Sequence, residues 1–295
     1  MINFLRWQNY GLFLCVALFF VFAGAFCYKR YTTGSAFLYS VDFTGGTQVL
    51  LKFSKPVSTM EVMKILESGS FAQPVIREFS SSELLVRVAE HAEDVRGTAQ
   101  NIQKTLAEKL PDTTIEIKQV DSVGSGVGES LWWTSLYAIV AGLAIMLVYI
   151  LTRFWSIGFA FGAVGSLTHD AIIMLLFCSI FNYEISAGVI AAILTVLGYS
   201  INDTIIIFSR IRENLQKAGR SASLPHIVNT SINETLRRTL LTTVSTIIVL
   251  VPLILFGGEV LRTLSILLMV GFIFGTYSSI YIASPLMLLF SKKHA

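Results

Sequence analysis

Three ionisable side chains, His169, Asp170 and Asp203, stand inside stretches of sequence otherwise apolar enough to enter a lipid bilayer. Placing an ionised carboxylate at the bilayer centre costs roughly 2.5–3.5 kcal/mol even on a lenient insertion scale, so such groups normally face a water path or a partner charge. The chemistry open to a lone carboxylate there is the uptake and release of a proton, since burial favours its neutral form and a nearby cation its charged form. A cation is at hand in Arg238, which opens a later apolar run from the same side as the end of the Asp203 segment. Its long side chain can reach inward, so an ion pair or an alternating, proton-controlled contact between Asp203 and Arg238 is expected. Asn202 stands beside the carboxylate as a supporting polar group.

Beyond Arg238, Thr239, Thr242, Thr243 and Thr246 recur at helical spacing and form one polar face. Two readings stand: a hydroxyl-lined water path, or hydroxyls that bond back to their own helix carbonyls and bridge helices, the commoner use of such groups. His169 and Asp170, adjacent on a helix, point about 100° apart and cannot serve one partner from one direction. No second His or Cys lies at ligand spacing from His169, so a helix-bridging hydrogen bond is expected in place of a metal. Asp170 is expected to pair with a hydroxyl or with this histidine, in a structural or a functional role. The chain has no GxxxxGK[ST], GxSxG or HExxH motif. An enzyme is therefore not expected, nor any cofactor beyond protons as a coupling ion, nor a nucleic-acid partner, and the energy source must be a gradient or a separate protein.

The elements that hold these residues follow from composition. Of the 295 residues 54% are hydrophobic and 14% charged, which excludes an ordinary soluble domain and indicates an integral membrane protein in contact with lipid. Six stretches supply the roughly 20 apolar residues that a span needs: 11–28, 131–151, 157–181, 187–208, 239–257 and 263–289. Arg6, Arg153, the cluster Arg210, Arg212, Lys217, Arg220, Arg237 and Arg238, and Lys292 with Lys293 fall on one side if six spans alternate, with Arg262 opposite. Both termini and the 209–238 loop are thus expected in the cytoplasm, and residues 29–129 on the far side, where a long segment translocates regardless of its charge. Trp132 and Trp133 then mark the outer interface and Trp155 the inner one. Arg6 followed by an apolar run and Ala23-Gly24-Ala25 mimics a cleavable signal peptide, but the run continues far enough to span. Cys15, Cys27 and Cys178 lie in or beside spans, so no disulfide framework is expected outside.

Three segments result: residues 1–28 with the first span, 29–129 as an extracytoplasmic domain with its linker, and 130–295 with five more spans. Within the second, Thr47, Val49, Leu51 and Phe53 alternate as a strand, and Ser58 with Glu61 forms a capping-box signature before Val62, Ile65 and Leu66, a helix that Gly69 ends. Strands at 73–79 and 83–88 flank the turn Ser80-Ser81-Ser82, a helix carrying Ile102, Leu106 and Leu110 stops at Pro111, and a last strand covers 113–120. The order βαββαβ is that of a ferredoxin-like domain inserted into a six-helix membrane protein. The linker 121–129 carries Gly124, Gly126 and Gly128, read as a hinge or as plain flexible chain. Gly158/Gly162 and Gly271/Gly275 give two close-packing signals inside spans.

Val41-Asp42-Phe43-Thr44-Gly45-Gly46-Thr47, Asp121-Ser122-Val123-Gly124, Thr168-His169-Asp170 and Gly198-Tyr199-Ser200-Ile201-Asn202-Asp203-Thr204 followed by Arg210-Ile211-Arg212-Glu213-Asn214 occur in this order relative to the six spans. Together they resemble the SecF subunits of bacterial protein translocase, in the SecD/SecF family. The resemblance implies a membrane subunit of the RND superfamily type that pairs with a SecD-like subunit and uses the proton gradient to help draw preproteins out of a SecYEG-type channel in the inner membrane. It implies Asp203 and Arg238 as proton-pathway residues. Ser125 and Ser209 depart from the family pattern, standing where proline and aspartate are common. Half of a small-molecule or lipid exporter and a plain membrane scaffold are the competing readings of the same residues.

Overall fold

The computed structural model describes residues 2–69, 71, 74–80, 82–88, 95–218 and 223–291. Gln73, Ser81, Arg220, Lys292 and Lys293, on which parts of the sequence reading fall, lie outside the described residues. The chain divides into a membrane unit, residues 1–38 and 137–295, and an α+β unit, residues 39–136.

In the α+β unit, Gly46–Phe53 forms β1, Thr59–Ser68 α2, Val75–Ser80 β2, Glu83–Val88 β3, Val95–Lys109 α3 and Ile115–Val123 β4, after Gln8–Thr33 has formed α1 in the membrane unit. The strands lie in the order β2-β3-β1-β4, every neighbour antiparallel, which is the ferredoxin-like arrangement. Alternation dictates which face is covered: Val49, Leu51 and Phe53 of β1 and Leu84, Val86 and Val88 of β3 turn to one side. There they bury against Val62, Ile65 and Leu66 of α2 and Ala99, Ile102 and Leu106 of α3. Register agrees, with Val49 opposite Val86 and Val120. Ahead of β1, Gly45 at φ 69° and Gly46 at φ 105° carry the chain from a single helical turn, Val41–Thr44, into the strand, a path closed to residues with a Cβ.

Two local expectations do not hold. Ser58 is the N-cap of α2 but makes no side-chain cap bond; its carbonyl takes the Glu61 and Val62 amides instead. The glycine-rich segment is not a loop. β4 continues through Val123, where Asp121, Ser122 and Val123 pair with Gln48, Thr47 and Gly46, and the next helix starts at Ser125. Gly124 alone separates strand from helix, and Gly126 and Gly128 are helical. Long-range pairing to β1 and a hydroxyl contact of 3.0 Å between Thr47 and Ser122 override the local loop signal. Gly128 serves close approach, since a Cβ there would stand 2.8 Å from the Phe43 carbonyl oxygen.

Among the described residues, six helical segments are long and apolar enough to cross a bilayer. α1 is followed by α4 (Ser125–Phe154), α5 (Ile157–Phe181), α6 (Ala187–Ala218), α7 (Leu224–Phe256) and α8 (Gly258–Ser278), which a π-helical turn, Ser279–Ala283, joins to α9 (Ser284–Ser291). About half of the most apolar stretch is buried in α5, α6 and the α8–α9 segment, against 11–17% in α1, α4 and α7, so the first three make the core. Segment 209–238 is corrected: α6 runs on to Ala218 and α7 begins at Leu224, so most of it is helix. The polar extensions are tied side to side by Arg210–Glu234 at 2.6 Å and by Asn214 donating to Glu234 and Ser231. Asn229 and Asn233, one turn apart on α7, bond the backbone of Ile2 and Phe4. At its other end α5 stops at Asn182 in the left-handed conformation, and Lys29 of α1 donates to the Ser179 carbonyl and the Asn182 side chain there.

The two small-residue signals mark core contacts. Gly158 and Gly162 of α5 lie against α9 and the π turn, and Gly271 and Gly275 of α8 against Val196 and Ser200 of α6.

Candidate functional site: two carboxylates between helices

Asp203 sits on the apolar face of α6 and is 2% exposed. It borders a tight crevice with Tyr199 and Ser200 of its own helix and Gly271, Phe272, Gly275 and Thr276 of α8. Its Oδ1 is buried and finds no hydrogen-bond partner among the described residues. Most buried polar atoms are paired, so an orphaned carboxylate oxygen in a membrane helix is costly and marks a site.

The expected ion pair is not formed. No pair joins Arg238 to Asp203 among the described residues, and Arg238 is exposed on α7, near enough to act on the carboxylate only through its field. Asn202 is exposed too, because the next position on a helix turns by about 100°. Thr242 donates back to the carbonyls of Arg238 and Thr239 at 3.1 and 2.8 Å. Its neighbours bridge helices: Thr246 meets the Tyr199 hydroxyl at 2.6 Å, and Thr243 meets Thr276 at 2.7 Å. The polar face of α7 therefore ties α7 to α6 and α8 beside the crevice, with the Thr239 hydroxyl buried and unpaired among the described residues.

Asp170 has the opposite environment. It is fully buried on α5, and its Oδ2 accepts from Ser200 of α6 at 2.6 Å and from Ser278 of α8 at 2.9 Å. Its Oδ1 lies 3.2 Å from His169 Nδ1, a contact the two rotated side chains make by closing toward each other. Ser166, one turn earlier, donates to Ser278 at 2.8 Å. Below Ser200, Thr204 and Ser279 share a hydroxyl contact of 2.9 Å, and both reach the Ser200 carbonyl. Ser279 opens the π turn, whose wider winding is frequent at functional positions. Three core helices thus converge on one carboxylate.

Sequence reasoning gave roles to Asp203, Asp170 and His169 but not to Ser166, Ser278 and Ser279, and it held Ser200 and Thr204 only as members of the motif around Asp203. The one local signal was Ser166 four residues before Asp170, on the same helix face.

Known proteins share this architecture. Residues 102–293 match the model of the protein export membrane protein SecD/SecF C-terminal family, and residues 39–57, which hold Gly45 and Gly46, match the SecD/SecF GG motif. The chain is 37% identical to the protein translocase subunit SecF of Gemmatimonas aurantiaca, over 97% of this chain and 86% of that one. It is 36% identical to the SecF subunit of Thermodesulfovibrio yellowstonii, over 95% and 92%. Among solved structures it resembles SecDF of Thermus thermophilus, a translocon-associated membrane protein, with a TM-score of 0.86 and 32% identity. The match covers 99% of this chain and 39% of that longer one. A multi-pass membrane protein with this sequence and core belongs to the SecD/SecF family of protein export membrane proteins, on the side of its SecF translocase subunits.

Proposed function

We propose that this chain couples the proton gradient across a bacterial inner membrane to protein export, together with a SecD-like subunit and a SecYEG-type channel. Both termini lie in the cytoplasm and the α+β unit outside. Protonation of Asp203 biases the packing of α6 against α8, and the translocating preprotein is the load. Arg238 is the charge that answers Asp203 when the crevice opens. The chain needs no catalytic group of its own, because the work is drawn from the ion gradient.

The observation that carries this reading is the orphaned Oδ1 of Asp203, a residue 2% exposed that borders a glycine-lined seam between two core helices. A purely structural carboxylate in that place would be satisfied as Asp170 is. Its protonation removes a buried charge, and such a change can shift a balance between two helix arrangements by several kcal/mol. The test is export of a preprotein into inverted membrane vesicles, with and without a proton gradient. Asp203→Asn should insert and assemble as the parent does and lose the gradient-stimulated part of export. Export in Asp203→Asn that still rises fully with the gradient would refute the assignment.

A further inference from the structure

Ser200 lies between the two carboxylates. It donates to Asp170 Oδ2 at 2.6 Å, and three residues on, one turn along the same face of α6, stands Asp203. Ser200 also lines the Asp203 crevice, opposite Gly275, where a Cβ would stand 3.3 Å from Ser200 Oγ and 3.6 Å from Asp170 Oδ2. A serine hydroxyl has one proton and two lone pairs. With that proton committed to Asp170, Ser200 has only lone pairs left for the crevice. Ser278 also donates to Asp170 Oδ2, at 2.9 Å, and to the Gly275 carbonyl, while Thr276 and Tyr199 share hydroxyl contacts with Thr243 and Thr246 in which either side can donate.

We propose that Asp170 is a positioning residue for Asp203: by holding the Ser200 proton it leaves Ser200 an acceptor at its side of the crevice, which receives the acid form of Asp203 and withholds the Ser200 donor from the carboxylate form. The orphaned Oδ1 is the visible consequence. Asp170 is itself held in place by His169 at 3.2 Å and by the α8 donor Ser278, so the direction of the Ser200 hydroxyl is set by three helices and not by Asp203. This rests on the reading of Asp203 as the proton-carrying group and gives it a mechanism for reversibility, since a carboxylate clamped by donors would not take a proton back.

The test is the infrared carbonyl stretch of protonated Asp203 in reconstituted membranes at acidic pH, assigned by its loss in Asp203→Asn. Asp170→Ala takes away the acceptor of the Ser200 hydroxyl, frees its proton to turn toward Asp203, and should move the band to lower frequency, as a new donor to the carbonyl does. In Asp170→Ala combined with Ser200→Ala that lowering should vanish. A band unmoved by Asp170→Ala, or lowered equally in the double variant, overturns the proposal. Should Asp170→Ala not assemble, Ser200→Ala and Ser278→Ala are compared, since each deletes one buried hydroxyl that donates to Asp170. Only Ser200→Ala should displace the band, and equal displacement by both overturns the proposal. The band reports this contact even if Asp203→Asn exports normally, so the two readings fail separately.

Discussion

A methyl group added at Gly162 should unseat the core of the membrane unit, whereas the same methyl at Gly24 should strengthen its helix. At Gly162 the new Cβ would stand 2.5 Å from the main-chain oxygen of Ala283, 0.9 Å short of the 3.4 Å at which ordinary contact begins. That oxygen belongs to the π turn and cannot swing aside as a side chain would, and Met287 Cβ and the Phe208 ring, both at 3.1 Å, block the other directions. Helix α5 must therefore move away from the π turn, and from α9 that continues it, by most of that distance. Overpacking of a tight core costs about 1–3 kcal/mol, and exchanging glycine for alanine in a helix returns about 1 kcal/mol, so Gly162→Ala should lose up to about 2 kcal/mol net. Gly24 meets nothing within 4 Å, so Gly24→Ala should gain up to about 1 kcal/mol. Equilibrium unfolding in mixed detergent micelles measures both in one assay. Equal stability of the two variants, or a gain at Gly162, would refute the close packing of α5 on α9 as the source of the difference.

Two further outcomes concern the α+β unit. Leu66→Ala empties a fully buried position between α2 and the sheet and should cost about 2–5 kcal/mol, read as faster amide exchange at Val49 and Val86; unchanged exchange would mean that this core does not act as one body. Burial, and secondarily Asp42, raise the Asp121 carboxyl above its ordinary value, against the opposing hydrogen bond from Gln119 at 2.9 Å. As pH falls, the folded unit therefore takes up this proton before the unfolded chain does, and the stability so gained is lost again as pH rises through that raised value. Asp121→Asn should flatten this part of the acid-side stability profile, and an unaltered profile would show that the carboxyl does not carry it.

The six spans and the βαββαβ order were legible because each rests on a local pattern: about 20 apolar residues, or alternation and helical spacing bounded by turn residues. What escaped was set by distant partners. Asp121-Ser122-Val123 followed by three glycines in five positions reads as a linker until its pairing to Gly46, Thr47 and Gln48 is known. Ser278 is one hydroxyl among many until α8 is placed against α5. Asp203 was found because burying a charge in lipid is expensive wherever its neighbours lie, but the sequence could not show that Arg238 leaves it unpaired, since a long arginine side chain permits a contact without requiring it.

Two carboxylates in neighbouring core helices show what decides the role of a buried acid. Asp170 is fully buried and fully satisfied, with donors from α6, α8 and its own helix, so moving any of these helices would strip a charged group of hydrogen bonds worth about 1.5–3 kcal/mol each. That favours a fixed point. Asp203, 2% exposed with an oxygen unpaired, is destabilising in every arrangement in which it stays charged and dry, so a change of proton or of packing relieves it. Ser200 belongs to both environments, bonded to the first acid and bordering the second. If Asp203 drives a movement of α6, as we propose, that movement must pivot on the Asp170 contact or break it, because Ser200 on the same helix is bonded across to α5.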